Sequence, residues 1–267
     1  ISMAFSSVLS VCHFVQQSSF IRFKRHCWAP KLYIFRNVLA IGISPFSMNL
    51  AASLVVALLN KQLIRFGGDL AVGAYGLVNT YASLLVMLML GVCLGMQPIA
   101  GYNYGAGHSQ RLKQVYWLAQ KVNILVGVVG AIIAIIAPAL ILKAFTKETD
   151  LITMGVPPMR FLTVMMPLIG YTITNSQFFQ SIDKPWIAIV TSLSRQVIFL
   201  IPMIYIVPYF FGLWEKNQLT GVWTACTICD ALGALLAGVL FLTQRKVFRP
   251  DYVAPERKPR KEVGPKE

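Results

Sequence analysis

Long apolar stretches alternate with short polar or basic segments along most of this chain. A helix that crosses a bilayer needs about 20 predominantly apolar residues. The apolar stretches that reach this length predict transmembrane helices over Val38–Leu59, Leu70–Gln97, Val122–Leu142, Leu151–Phe179, Trp186–Phe211 and Leu219–Thr243. The pattern therefore predicts an all-α integral membrane protein with a six-helix lobe over residues 38–244.

The segments outside the lobe differ from it in composition. Residues 1–19 are apolar but short, and the chain starts inside them at Ile1. We expect them to be the end of a truncated transmembrane helix, which would make this chain a fragment of a longer protein. Residues 20–37 mix basic and aromatic side chains, which predicts a linker lying on an anionic membrane surface. Residues 245–267 are poor in apolar residues, which predicts a disordered basic tail.

The overall composition supports a membrane protein. Hydrophobic residues make up 56% of the chain and charged residues 13%, whereas soluble domains carry roughly 25% charged residues. The net charge of +14 could indicate a nucleic-acid partner. The basic residues, however, sit in short segments between apolar runs, so we predict that they meet the lipid bilayer and that the chain binds no nucleic acid.

The basic residues also predict an orientation. Alternate connections between the spans, counted with the linker and the tail, hold seventeen Lys and Arg residues against five in the opposite set. Cytoplasmic segments carry the excess of Lys and Arg. The linker and the tail are therefore predicted to be cytoplasmic, in a multi-pass membrane protein.

Two charged residues are predicted near the middle of the bilayer. Arg195 follows Lys184, at the inner surface, by a helical rise of roughly 16 Å, and Asp230 follows Gln218, at the outer surface, by roughly 18 Å. Both depths fall near the midplane of a hydrocarbon core about 30 Å thick. Because their helices are consecutive and antiparallel, Arg195 and Asp230 are predicted to form an ion pair.

Charges inside a membrane are energetically costly, so the pair should have a structural or a functional role. Both roles are open. The pair is either a structural lock between two helices or a carboxylate that responds to a proton or a cation in a cavity. The lock is favoured because a paired carboxylate resists protonation. The functional reading makes Arg195 and Asp230 the candidates for ion coupling.

Uncharged polar side chains inside the spans are candidates for lining a transport pathway. The second half of the fourth span is the most polar, and Pro167 before it leaves a backbone carbonyl without its helical partner. Hydrogen bonding between helices is an equally good explanation of this polar band. The cavity-lining candidates are Asn49, Ser53, Asn79, Tyr171, Asn175, Gln177 and Phe178.

Signs of enzyme or metal chemistry are lacking in the sequence. The three histidines are scattered, and no phosphate-binding, dinucleotide or hydrolase motif is present. Cys226 and Cys229 form a CxxC inside an apolar span, without a second ligand pair, so we interpret them as small apolar side chains. We therefore predict that the protein is not an enzyme and holds no metal or cofactor.

Several motifs, taken in order, resemble the carboxy-terminal half of a multidrug and toxic compound extrusion (MATE) transporter. The most extended is Gln97-Pro98-Ile99-Ala100-Gly101-Tyr102-Asn103-Tyr104-Gly105-Ala106-Gly107. The others are Gly42-Ile43-Ser44-Pro45, the stretch from Gly67 to Gly76, the stretch from Phe178 to Pro185, Ser194-Arg195-Gln196 and Gly221-Val222-Trp223. Together they extend from about Gly42 to Thr243.

The resemblance is to the bacterial members, and it implies twelve helices in two six-helix lobes of a bacterial inner (plasma) membrane, with this chain as the second lobe. It implies export of cationic or amphipathic compounds by rocking of the lobes, in exchange for H+ or Na+. The partners implied are the bilayer, a missing amino-terminal lobe and a small substrate. Some members carry an acid on the helix matching Val38–Leu59, where this sequence has Asn49 and Ser53 instead. Asp230 is then the only acid in the middle of a span.

Two alternatives to an antiporter remain open. One is a related flippase for lipid-linked oligosaccharides, which should line its cavity with several Arg or Lys for a pyrophosphate. The other is a membrane interaction module or a membrane enzyme that transports nothing. The sequence does not identify the substrate or the coupling ion.

Overall fold

A computed structural model of the chain describes residues 32–182, 184–214 and 218–244. The predicted helix end at 1–19, the tail at 245–267 and most of the linker at 20–37 lie outside these residues. Within the described part all regular secondary structure is helical, as predicted. The chain forms two compact units, Ile1–Ser47 and Met48–Glu267. The features described below belong to the second unit.

The helices are named here in chain order. They are α1 (Leu32–Gly105), α2 (Ser109–Ile136), α3 (Pro138–Phe145), α4 (Thr149–Thr163), α5 (Met166–Ser181), α6 (Pro185–Leu193), a π-helical segment (Ser194–Leu200), α7 (Ile201–Trp214) and α8 (Gln218–Thr243).

Helix α1 folds back on itself at Gly68. This glycine has φ 68° and ψ −168°, a conformation outside the helical region that glycine adopts without a steric penalty. In a straight helix Ala52 and Leu90 would lie about 57 Å apart, yet both line one cavity. The segments before and after Gly68 are therefore two arms of a helical hairpin.

The first arm is longer than the sequence predicted. Residues 60–69 looked like a loop, but the chain is helical up to the turn at Gly68. The reason is tertiary packing, because Leu59 and Leu63 are buried one turn apart against Ile204 and Trp223. Polar residues such as Gln62 were misleading here, since its side chain is itself buried.

The fourth predicted span is a bent pair of helices. Helices α4 and α5 meet at an angle of 50°. Pro167 stands in the first turn of α5, where its missing N–H costs no helical hydrogen bond. Pro167, which the sequence pattern places inside one continuous span, therefore begins a new helix just after the bend.

The number of spans agrees with six. Four helices are long and apolar enough to cross a membrane among the described residues, namely Asn49–Gly105, Ser109–Ile136, Trp186–Leu213 and Gln218–Thr243, and the bent pair α4–α5 raises the number to 5. Division of the first of these into the two arms of the hairpin adds the sixth. Large apolar side chains such as Ile136, 76% exposed, and Leu118, 65% exposed, cover the outside of these helices, as expected where lipid replaces water.

Helices α2 and α5 pack with their backbones in contact. A Cβ added at Gly127 would lie 2.7 Å from the carbonyl oxygen of Met166, and one at Gly170 would lie 2.8 Å from the carbonyl oxygen of Asn123. Small residues at such positions let membrane helices approach closely. The two glycines thus hold the start of α5 against α2, next to the bend.

We predict that Gly127→Ala destabilises the protein by about 1–3 kcal/mol, because the methyl group would meet backbone atoms that cannot move aside. The free energy of unfolding, measured by SDS titration in mixed micelles, checks this. Gly95→Ala is the matched control, since open space surrounds Gly95 and alanine favours a helix over glycine. Equal free energies for the two variants would contradict the close approach.

Candidate substrate cavity

The second unit contains a cavity of about 560 Å³. Its wall combines both arms of the α1 hairpin with residues of α4, α5, the π-helical segment and α8. Most lining side chains are aliphatic or sulfur-containing. The polar and charged ones are Tyr75, Asn79, Ser83, Arg195, Gln196 and Asp230.

Arg195 and Asp230 meet on the wall of this cavity. Nη1 of Arg195 donates a hydrogen bond to Oδ1 of Asp230 at 2.6 Å, so the contact is a charged hydrogen bond as well as an ion pair. The side chain of Arg195 is 31% exposed and that of Asp230 only 14%. The contact predicted from the depths of the two residues in the bilayer is therefore present. Their role in ion coupling stays a prediction.

Two local features orient the side chain of Arg195 toward Asp230. It is the second residue of the π-helical segment, whose wider turns change the direction of side chains and often occur at functional sites. On α8, Gly233 lies one turn after Asp230 and leaves room for the arginine. A Cβ there would lie 2.9 Å from Cγ of Arg195 and 3.1 Å from its Cδ. The arginine stem therefore lies flat across α8.

The neighbours of the pair are apolar or weakly polar. Cys226 and Cys229 line the same cavity, and both are free thiols. Tyr75, from the second arm of α1, stacks on Trp223 with a distance of 6.0 Å between ring centroids. Among the described residues no three His, Cys, Asp or Glu side chains converge as a metal site would require.

The cavity includes one of the uncharged candidates from the sequence and leaves out others. Asn79 lines it, close to Ser83 on the next turn of the same arm. Asn49 and Ser53 lie on the first arm with exposed side chains, and neither belongs to the lining. Ala52 contributes from that arm instead, because its face of the helix is turned toward the cavity.

The polar band of α5 lies in contacts between helices rather than on this cavity. Asn175 is buried; its Oδ1 accepts a hydrogen bond from the Tyr116 hydroxyl at 3.0 Å, and its Nδ2 donates to the carbonyl oxygen of Tyr171. Nε2 of Gln97 donates to Oε1 of Gln177 at 2.6 Å. Phe178 is fully buried with its ring 4.8 Å from that of Tyr116. These contacts correspond to the second explanation given for the polar band, hydrogen bonding between helices, rather than to lining of a transport pathway.

Sequence reasoning missed Tyr75, Gln196 and Gly233 as parts of the site. Gln196 could have been identified from its position next to Arg195. Gly233 could have been identified because it lies one turn from Asp230 on the same helical face. Tyr75 gave no such signal, because only the hairpin turn at Gly68 brings its arm to the cavity.

We predict that Gly233→Ala lowers the free energy of unfolding by about 1–2 kcal/mol, because its methyl group would displace the arginine stem. In an Arg195→Ala background, which lacks Cγ and Cδ, the same change should cost much less. Gly238→Ala on the same helix is the control, since its Cβ would only touch the Tyr171 hydroxyl at 3.5 Å. Additive effects of the two changes would show that Gly233 does not shape the pair.

The chain resembles transporters in sequence and in structure. It is 22% identical over 240 residues to the multidrug export protein MepA of Staphylococcus aureus (strain MSSA476), an alignment that covers 89% of this chain and 51% of MepA. MepA of Staphylococcus saprophyticus is 22% identical over 237 residues. The chain thus spans about half the length of these relatives.

Two solved structures illustrate the structural likeness. The MATE multidrug transporter DinF-BH superposes with a TM-score of 0.74 at 35% identity, covering 92% of this chain and 54% of DinF-BH. The outward-facing conformation of a multidrug resistance MATE family transporter superposes with a TM-score of 0.76 at 19% identity, covering 94% of this chain and 56% of that one. The MatE family model matches residues 45–206, more than half of the sequence. This chain therefore belongs to the MatE family and is a multi-pass membrane protein.

Proposed function

We propose that this chain is the carboxy-terminal lobe of a secondary transporter that exports drug-sized amphipathic compounds. The observation that carries the proposal is the cavity bordered by the Arg195–Asp230 pair. Its volume of about 560 Å³ falls within the roughly 300–1,000 Å³ of small-molecule sites. A mostly aliphatic wall with few polar groups suits ligands that have a large apolar body.

The proposed transport cycle exchanges substrate for H+ or Na+ while two lobes rock between outward-open and inward-open states. In this arrangement the cavity of the present chain forms one wall of a central pathway, and a second six-helix lobe forms the other. The linker and the tail face the cytoplasm. Support comes from family membership, from the share of the relatives that the chain spans and from the distribution of basic residues.

The ion pair has two possible parts in this cycle. As a lock, it ties the π-helical segment to α8, so that the cavity wall moves as one body. As a coupling site, Asp230 takes up the ion and releases Arg195 toward the cavity. Asp230, the more buried partner, would lose its countercharge if Arg195 left, so the pair should open only when Asp230 is neutralised or otherwise paired.

Efflux is preferred here over a flippase function. A flippase for a pyrophosphate-linked lipid should present several basic side chains to its cavity. Arg195 is the one basic residue in the lining among the residues that the structure describes. The named relatives are export proteins and transporters rather than enzymes.

We predict that the chain expressed alone in efflux-deficient bacteria gives no drug efflux, since a single lobe leaves its cavity open to one side. A chimera in which the chain replaces the matched half of DinF-BH should carry at least one of a set of cationic, neutral and anionic amphipathic dyes into everted vesicles. Imposing a proton gradient and a sodium gradient separately identifies the coupling ion. Export by the chain alone would overturn the two-lobe requirement.

We predict that Asp230→Asn in this chimera abolishes export, and that the charge-swapped double variant Arg195→Asp with Asp230→Arg separates the two roles. Full restoration by the swap would establish the lock, because only the pairing is preserved. Failure of the swap, with normal folding shown by its thermal unfolding, would favour an ion-responsive carboxylate. Normal export by Asp230→Asn would exclude both roles.

A further inference from the structure

The charge that the cavity presents to a ligand comes mainly from the arginine of the pair. Arg195 is about twice as exposed as Asp230, at 31% against 14%. A guanidinium carries five N–H donors, and one of the two Nη groups is engaged with Asp230. The other N–H groups make no hydrogen bond within the described residues. They remain available at the cavity wall.

The carboxylate lines the same cavity but is the less exposed member of the pair. The arginine stem lies across Gly233, one turn from Asp230. No second acidic side chain lines the cavity in the described part of the chain. A simple organic cation would thus approach a guanidinium of its own sign and compete with it for a single, already paired carboxylate.

The remaining polar lining reinforces this preference. Gln196 follows Arg195 directly, and Asn79 and Ser83 stand on the second arm of α1. All three side chains can donate hydrogen bonds. Apart from the ion pair and Tyr75, the rest of the wall is apolar or sulfur-containing, including Val55, Val86 and Leu200. The wall therefore combines hydrogen-bond donors and one ion pair, whose cation is the more exposed member, with a large apolar surface.

We propose that this cavity binds amphipathic organic anions, through a carboxylate or sulfonate that accepts hydrogen bonds from the exposed guanidinium of Arg195. Guanidinium donors suit such oxyanions because their planar fork matches the spacing of two oxygens. The inference rests on the proposed function, since it names the substrate class of the same cavity. It differs from the cationic substrates that the family resemblance implied.

The test uses three matched fluorescent probes that differ only in their charged end. They are dansyl-aminohexanoate, its neutral primary amide and dansyl-aminopentyl trimethylammonium. Saturable binding to the full 267-residue chain is measured in nanodiscs of zwitterionic lipid, with empty nanodiscs subtracted. Wild-type protein should bind the anionic probe at least about tenfold more tightly than the other two.

Two substitutions at the pair should act in opposite directions on the anionic probe. Arg195→Gln should weaken its binding about tenfold or more, to the level of the neutral amide. Asp230→Asn should strengthen it, because a nearby negative charge is removed while the guanidinium stays. If a purely structural pair were disturbed, the two variants would instead weaken the binding of all three probes alike.

Arg160→Gln is the matched control, since Arg160 also lies within a span but borders a different groove. It should leave all three affinities unchanged. Circular dichroism and thermal unfolding of each variant identify any that misfold, and Arg195→Lys, which keeps the charge, should retain the preference for the anion over the amide even if Arg195→Gln unfolds.

The outcomes separate this inference from the proposed function. Tighter binding of the cationic probe, lost in Asp230→Asn, would overturn the inference and leave a drug-binding cavity in place. Equal binding of the three probes, unaffected by Arg195→Gln, would do the same. Failure of wild-type protein to bind any probe saturably would overturn the inference, while transport by the DinF-BH chimera, measured separately, decides the proposed function.

Discussion

The hydrogen-bonded ion pair between Arg195 and Asp230 is the interaction on which the cavity wall depends. A charge without a partner is costly inside a membrane, and Asp230, the less exposed of the two, has the guanidinium as its partner at 2.6 Å. The pair joins α8 to the π-helical segment, and Gly233 leaves the space that the contact needs. The position of the polar group in the cavity is therefore set by electrostatics, and the surrounding aliphatic residues fill the space that remains.

A second constraint shapes the helices themselves. Backbone N–H and C=O groups inside a bilayer must find partners within the protein, so breaks in helices occur only where the sequence permits them. Gly68 permits a reversal, Pro138 starts a helix after an interruption at Ala137, and Pro167 starts another after the bend between α4 and α5. These breaks bring both arms of α1, the start of α5 and the middle of α8 to a single cavity.

The sequence was sufficient to predict features that depend on the length of a helix and on the depth of a residue in the bilayer. It was insufficient for features that depend on how a helix is rotated about its axis. The spans and the meeting of Arg195 with Asp230 needed only the rise per residue. Whether Asn49 or Ala52 faces the cavity depends on how the first arm of α1 is rotated about its axis, which the neighbouring helices fix. Asn175 could not be assigned to the core without knowing that Tyr116, far away in sequence, would stand opposite to it.

The direction in which Arg195 points depends on the number of residues in its helix, because it lies in the π-helical segment Ser194–Leu200. A π-helical turn holds more residues than an α-helical turn, so the segment behaves like an insertion absorbed without a loop. In a regular helix one residue fewer would turn everything before it by about 100° relative to α7. Arg195 would then point about 100° away from its present direction, while the overall hydrophobicity of the span stayed nearly the same. Two family members with nearly the same hydrophobic profile can therefore present cavities of different charge, and comparing their profiles alone would not reveal it.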